Sequence, residues 1–192
     1  MSAFLLSFAA IFIAELGDKS QLMAMTFATR YRFWTVTAAI STATAVVHLF
    51  SVALGSLVGL ALPTGPISVF AGVAFVAFGL WTLRGDKLSV DEESRAQRST
   101  RSAFFAVTIA FFLAELGDKT MLATVTLATT QGWFGTWLGS TVGMVAADAL
   151  AIGVGALLGR ALPARVIRIG AACLFFVVGA WLLFEGVQIT ME

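Results

Sequence analysis

The chain has 192 residues, of which 59% are hydrophobic and only 12% are charged. Soluble domains carry about 25% charged residues, so this composition excludes a soluble globular protein, and the mean hydropathy of +0.93 agrees. The net charge of +1 excludes a nucleic-acid-binding surface as the organising feature, and the single cysteine, Cys173, excludes an internal disulfide. We therefore predict an all-α polytopic membrane protein in contact with the lipid bilayer.

Six apolar runs, separated by glycine, proline or charged residues, predict six transmembrane helices. In chain order they cover residues 4–28, 35–60, 67–83, 103–128, 135–159 and 169–187. We expect the first run to remain as a span, because the segment Met1–Ala14 lacks the basic start of a cleaved signal peptide. Only the break at residues 84–102 has the length and charge of a linker, and it separates residues 1–83 from residues 103–192.

The two parts of the chain repeat each other. Residues 15–20 have the sequence ELGDKS, and residues 115–120 have the sequence ELGDKT. The pair Leu62-Pro63 and the residue Trp81 recur at the same offset as Leu162-Pro163 and Trp181. Because each part contains three predicted spans, the second part enters the membrane from the opposite side. We expect two inverted three-helix repeats, an architecture that places substrate sites near the midplane.

Charge in the loops predicts the orientation. One set of loops, including the linker, holds ten Lys and Arg residues, whereas the other loops and both termini hold none. Positive residues mark the cytoplasmic side, so we expect a cytoplasmic linker and both termini outside. The expected location is a bacterial inner membrane.

The remaining two basic residues, Lys19 and Lys119, lie within the repeated motifs. Glu15 lies about half-way across a ~30 Å hydrocarbon core, and on a regular helix Glu15, Asp18 and Lys19 share one face. Each such charge costs ~2.5–3.5 kcal/mol to insert, so the charges must face one another or an aqueous cavity. Ion pairs that merely lock the first and fourth spans together are the alternative, an expensive way to join helices.

The sum of the motif charges favours a divalent cation, because four carboxylates and two ammonium groups leave a net charge of −2. Carboxylate oxygens suit Mn²⁺, Ca²⁺ or Mg²⁺. The candidate metal ligands are Glu15, Asp18, Glu115 and Asp118, with Lys19 and Lys119 compensating their charge. The additional candidates, as ligands or on a proton path, are Ser20, Gln21, Thr120, Asp148 and His48. Ser20 and Thr120 qualify as ligands only if the helices are broken at Gly17 and Gly117, which the sequence leaves open.

The two E-x-G-D-K-S/T motifs, each opening a three-helix half around a charged linker, resemble the Gdt family of the calcium/cation antiporter superfamily. That family includes Golgi manganese/calcium–proton exchangers and bacterial manganese exporters of the MneA type. The resemblance implies export of Mn²⁺, or alternatively Ca²⁺, in exchange for protons, with the four motif acids as ligands.

The residues allow two alternative functions to be compared with cation transport. A six-helix exporter of a small organic solute would need apolar walls around one charge pair rather than four carboxylates. An intramembrane metal-dependent hydrolase acting on phosphate would need arginines at the site, and every arginine is assigned to the cytoplasmic edge. We therefore expect a transporter rather than an enzyme, with no cofactor besides the transported ion. The preference between Mn²⁺ and Ca²⁺, the proton stoichiometry and the oligomeric state stay open.

Overall fold

The computed structural model describes residues 2–61, 63–84, 103–158 and 164–191, and within these ranges the regular structure is entirely α-helical. The helices are α1 (Ser2–Glu15), α2 (Lys19–Ala28), α3 (Phe33–Ala61), α4 (Thr64–Arg84), α5 (Ala103–Glu115), α6 (Lys119–Thr130), α7 (Trp133–Leu158) and α8 (Ala164–Met191). The predicted linker, apart from Arg84 at the end of α4, lies outside the described residues.

Helices α3, α4, α7 and α8 are long and apolar enough to cross a membrane. They correspond to the predicted helices at residues 35–60, 67–83, 135–159 and 169–187, and α8 is longer than predicted at both ends. The helices α1 and α5 are apolar but shorter. The prediction of an all-α membrane protein is confirmed.

The first and fourth predicted helices are each broken in two. The backbone turns at Gly17 and Gly117, which have φ angles of +76° and +78°. Glycine adopts this left-handed conformation without the penalty that a Cβ imposes. Asp18 and Asp118 then take up extended conformations as N-caps, and the Asp118 carboxylate accepts a hydrogen bond from the Thr120 N–H. The motif therefore ends one helix and begins the next.

Glycine also permits two close helix contacts. A Cβ atom at Gly139 in α7 would lie 2.4 Å from the backbone oxygen of Phe4 in α1. A Cβ atom at Gly55 in α3 would lie 2.2 Å from the backbone oxygen of Val125 in α6. Such distances are too short for any side chain, so these glycines allow the helix backbones to touch, as small residues do in membrane helix packing.

Two buried apolar clusters adjoin the breaks. The α2–α5 cluster contains Phe27 and Phe111, whose ring centroids are 6.4 Å apart, together with residues from the first part of α3. The α1–α6 cluster contains Ile11 and Leu127, together with residues of α4, α7 and α8. Each broken helix contributes one segment to each cluster, so the breaks lie between the two clusters.

Equivalent residues of the two halves meet at two places. The Thr44 hydroxyl donates a hydrogen bond to the Met144 sulfur at 3.5 Å. The rings of Phe75 and Phe175 pack edge to face with centroids 5.7 Å apart. These contacts join α3 to α7 and α4 to α8.

Candidate ion-binding site

The four motif acids are buried at the two helix breaks. Glu15 is the last residue of α1 and Asp18 directly precedes α2. Glu115 and Asp118 occupy the same places between α5 and α6, and none of the four is more than 5% exposed. Because glycine breaks both helices, the acids come from helix ends rather than from the face of a continuous helix.

Each motif lysine pairs with the aspartate of the other half. The Lys119 ammonium contacts the Asp18 carboxylate, and Lys19 Nζ lies 3.3 Å from Asp118 Oδ1. These crossed pairs bring the two breaks together and give each buried aspartate a counter-charge, which a buried carboxylate requires. The sequence alone assigned the lysines a compensating role without identifying these partners.

The glutamates lie in the same group of charges but without lysine partners among the described ion pairs. Glu15 is within electrostatic range of Glu115, Asp18, Asp118 and Asp148. Among the residues that the structure describes, neither oxygen of Glu15 has a hydrogen-bond partner. The Glu115 Oε2 atom accepts a hydrogen bond from the Thr120 hydroxyl at 3.1 Å, whereas Oε1 has none within the described ranges. Buried carboxylate oxygens without donors are costly, and a cation or a proton would satisfy them.

Asp148 and His48 occupy equivalent positions but different surroundings. The buried Asp148 lies within electrostatic range of Asp18, Glu15 and Glu115, and both of its oxygens lack a hydrogen-bond partner in the described part of the chain. His48 is also buried, and its Nδ1 atom lies 3.5 Å from the Thr141 hydroxyl. The structure thus places Asp148 in the acid group and gives His48 a contact on the neighbouring helix.

The polar residues that follow each motif also differ between the halves. The Ser20 hydroxyl is buried and has no hydrogen-bond partner among the described residues, whereas Thr120 binds Glu115. Gln21 Oε1 accepts a hydrogen bond from the Gly17 N–H at 2.7 Å, and the Met121 sulfur accepts one from the Gly117 N–H at 3.1 Å. These backbone contacts at the breaks are not visible from sequence spacing.

In this arrangement the two motif aspartates are held in ion pairs rather than in a finished coordination sphere. Within the described residues, no three His, Cys, Asp or Glu side chains are close enough together to hold one metal ion. Five buried carboxylates thus accompany two ammonium groups, so negative charge is in excess when all of these groups are ionised.

Buried carboxylates at broken, apolar helices are the arrangement by which membrane transporters hold ions, so the fold and the site define an ion transporter. A model of the family described as "Divalent cation/proton antiporter GDT1" matches residues 3–89 and 103–190. The chain belongs to this family of antiporters, and the resemblance seen in the motifs is confirmed. The family description names cation/proton antiport rather than hydrolysis or export of an organic solute.

Similar proteins are known from bacteria and eukaryotes. A protein of Vibrio cholerae serotype O1, described as a candidate manganese exporter, is 35% identical over 93% of this chain and 88% of its own. The divalent cation/proton antiporter GDT1 of Saccharomyces cerevisiae is 23% identical over 96% and 84% of the two chains. A GDT1-like protein of Synechocystis is 27% identical over 94% and 97%. No solved structure matches the chain significantly.

Proposed function

We propose that the protein exports Mn²⁺ from the cytoplasm in exchange for protons, with Ca²⁺ as the alternative substrate. The observation that carries the proposal is the group of buried acids at two facing helix breaks in a member of a divalent cation/proton antiporter family. Mn²⁺ comes first because a relative 35% identical to this chain is described as a candidate manganese exporter.

The proposed ligands are Glu15, Asp18, Glu115 and Asp118, which form one site shared by both halves. The crossed pairs of Lys119 with Asp18 and Lys19 with Asp118 support a shared site, because they bring the two breaks into contact. Carboxylates are the ligands that Mn²⁺ and Ca²⁺ prefer. A bound ion replaces the ammonium groups at the aspartates, and the lysines return when the ion leaves.

Proton coupling follows from the same carboxylates. An oxygen of Glu15 or Glu115 that binds a metal ion cannot also carry a proton, so the two cargoes exclude each other. Protons entering from the outside occupy the acids after the metal has left, and metal from the cytoplasm displaces them. Mutually exclusive occupancy of one alternating site is sufficient for antiport.

Alternating access requires a barrier on each side of the site. We propose that the α2–α5 cluster closes the cytoplasmic side and the α1–α6 cluster closes the outer side. This assignment rests on an inverted repeat of residues 1–83 and 103–192, with α1–α2 and α5–α6 each completing one broken span. The contacts Thr44–Met144 and Phe75–Phe175 support the two-fold relation, and the family model matches both halves.

The orientation has its own test. The proposed topology puts the linker in the cytoplasm and both termini outside. A single cysteine at position 92, in a Cys173→Ser background, is then labelled only after the cytoplasmic side is made accessible. Labelling of this cysteine from outside intact cells would show that the orientation, and with it the direction of export, is the reverse of the one proposed.

Transport is tested in proteoliposomes with Mn²⁺ on the side of the arginine-rich loops. A proton gradient toward that side is expected to drive Mn²⁺ out, and Glu15→Gln or Glu115→Gln is expected to abolish the flux. The matched control is Glu185→Gln, which removes the same charge from a partly exposed position near the end of α8. Mn²⁺ flux that ignores the proton gradient, or that survives loss of either glutamate, contradicts the proposal.

A further inference from the structure

Both helix breaks leave a glycine N–H that is capped by the side chain four residues later. In the first half the cap is the Gln21 amide oxygen, 2.7 Å from the Gly17 nitrogen. In the second half it is the Met121 sulfur, 3.1 Å from the Gly117 nitrogen. An amide oxygen is a strong acceptor and a thioether sulfur is a weak one, so the first break is capped more strongly.

Gln21 makes a second hydrogen bond that Met121 has no donor to make. Its Nε2 atom donates to the backbone oxygen of Ala147 at 3.0 Å, and the side chain is buried. Ala147 directly precedes Asp148, so the Gln21 amide joins the first break to α7 next to the Asp148 carboxylate. A buried side-chain amide with both ends bonded fixes the distance between the backbones that it joins.

A second difference between the halves agrees with the first. The carbonyl equivalent to that of Ala147 belongs to Val47 in α3, and it accepts a hydrogen bond from the Ser51 hydroxyl at 2.8 Å. The position equivalent to Ser51 in α7 is Ala151, which has no hydroxyl. In the first half Ser51 therefore donates to the Val47 carbonyl. In the second half Ala151 cannot donate, and Gln21 donates to the Ala147 carbonyl instead.

We propose that Gln21 is a positioning residue that holds the break between Glu15 and Asp18 against α7 at Asp148. The first motif and α7 then move as one body during transport, whereas Met121, which has no donor, makes no equivalent link between the second motif and α3. The inference rests on the proposed function, because the acids that Gln21 positions are the proposed ligands. Its loss misplaces ligands and weakens ion binding while the turnover of the loaded transporter continues.

The experiment measures KM and Vmax for proton-driven Mn²⁺ transport in proteoliposomes. We expect Gln21→Met to raise KM about five- to ten-fold, the effect of one or two lost hydrogen bonds, with Vmax within about two-fold of wild type. Gln21→Glu accepts from the Gly17 N–H but, when ionised, cannot donate to Ala147, so it is expected to raise KM as well. A KM for Gln21→Glu at or below the wild-type value overturns the inference, because it identifies Gln21 as a direct ligand.

A double variant tests whether Gln21 acts by linking the two backbones or merely by donating a hydrogen bond to the Ala147 carbonyl. Gln21→Met with Ala151→Ser supplies a hydroxyl to the Ala147 carbonyl without restoring the link, so KM is expected to stay raised. A return to the wild-type KM overturns the inference. Gln21→Asn, which is too short to reach both partners, replaces Gln21→Met if that variant does not fold. Wild-type vesicles without proton-driven transport contradict the proposed function, whereas an unchanged KM in Gln21→Met contradicts only the link.

Discussion

The two ELGDK segments have the same five residues and the same backbone break, yet their surroundings differ. At the first break Gln21 bonds to two backbones and the Ser20 hydroxyl lacks a partner among the described residues. At the second break Met121 caps the glycine and Thr120 bonds to Glu115. The duplicated residues thus form a lysine–aspartate pair in each direction between the halves. The neighbouring positions make the two half-sites unequal.

The largest expected difference between the halves is that between Asp148 and His48. Asp148→Asn removes a negative charge from the acid group, so we expect Mn²⁺ transport to fall about ten-fold or more. His48→Gln keeps a polar group next to Thr141 and lies at the position that lacks the acid contacts of Asp148, so we expect a change of less than about two-fold. Initial rates of Mn²⁺ flux in proteoliposomes measure both, and equal losses would show that the two equivalent positions act alike.

The sequence predicts the charges of the site better than their partners. Two copies of E-x-G-D-K inside apolar runs were enough to identify buried acids and a family of transporters. The pairing of Lys119 with Asp18 depends on how the two halves face each other, which helical spacing within one half does not contain. The contact of Gln21 with Ala147 joins positions 126 residues apart for the same reason.

The sequence alone does not predict the helix breaks, because glycine in an apolar run has two uses. Gly17 and Gly117 turn the backbone with positive φ, whereas Gly139 lies inside a helix and admits a neighbouring backbone. Once the structure is known, the following residue distinguishes a breaking glycine from a packing glycine, because each breaking glycine precedes an aspartate that caps the next helix. The long apolar helices, in contrast, follow directly from hydropathy.

The crossed ion pairs allow a second comparison, of stability. Lys119 and Asp18 are buried to 3% and 1% side-chain exposure, whereas Lys19 is 17% exposed. Breaking a buried pair from one side costs about 3–5 kcal/mol, and the cost is smaller where water reaches one partner, as at Lys19. We therefore expect Lys119→Met to lower the thermal stability in chelator-treated detergent solution more than Lys19→Met does.

The double variant Lys119→Met with Asp18→Asn is the control for that comparison. It removes the charge of the carboxylate that has lost its lysine, so a substantial part of the lost stability is expected to return. Equal losses for the two single lysine variants, or no recovery in the double variant, would mean that the lysines are not the main counter-charges of the aspartates.

The smallest expected effect concerns the helix contacts that surround the site. Gly139 in α7 is equivalent to Ala39 in α3, so Gly139→Ala makes the second half like the first. The added Cβ would lie 2.4 Å from the Phe4 backbone oxygen, and such overpacking costs about 1–3 kcal/mol. Gly153→Ala is the matched control in the same helix, because a Cβ there meets nothing within 4 Å and alanine gains ~0.5–1 kcal/mol of helix propensity. Thermal unfolding in detergent is expected to show a loss for Gly139→Ala and no loss for Gly153→Ala; similar changes in the two variants would mean that α1 and α7 do not depend on backbone contact.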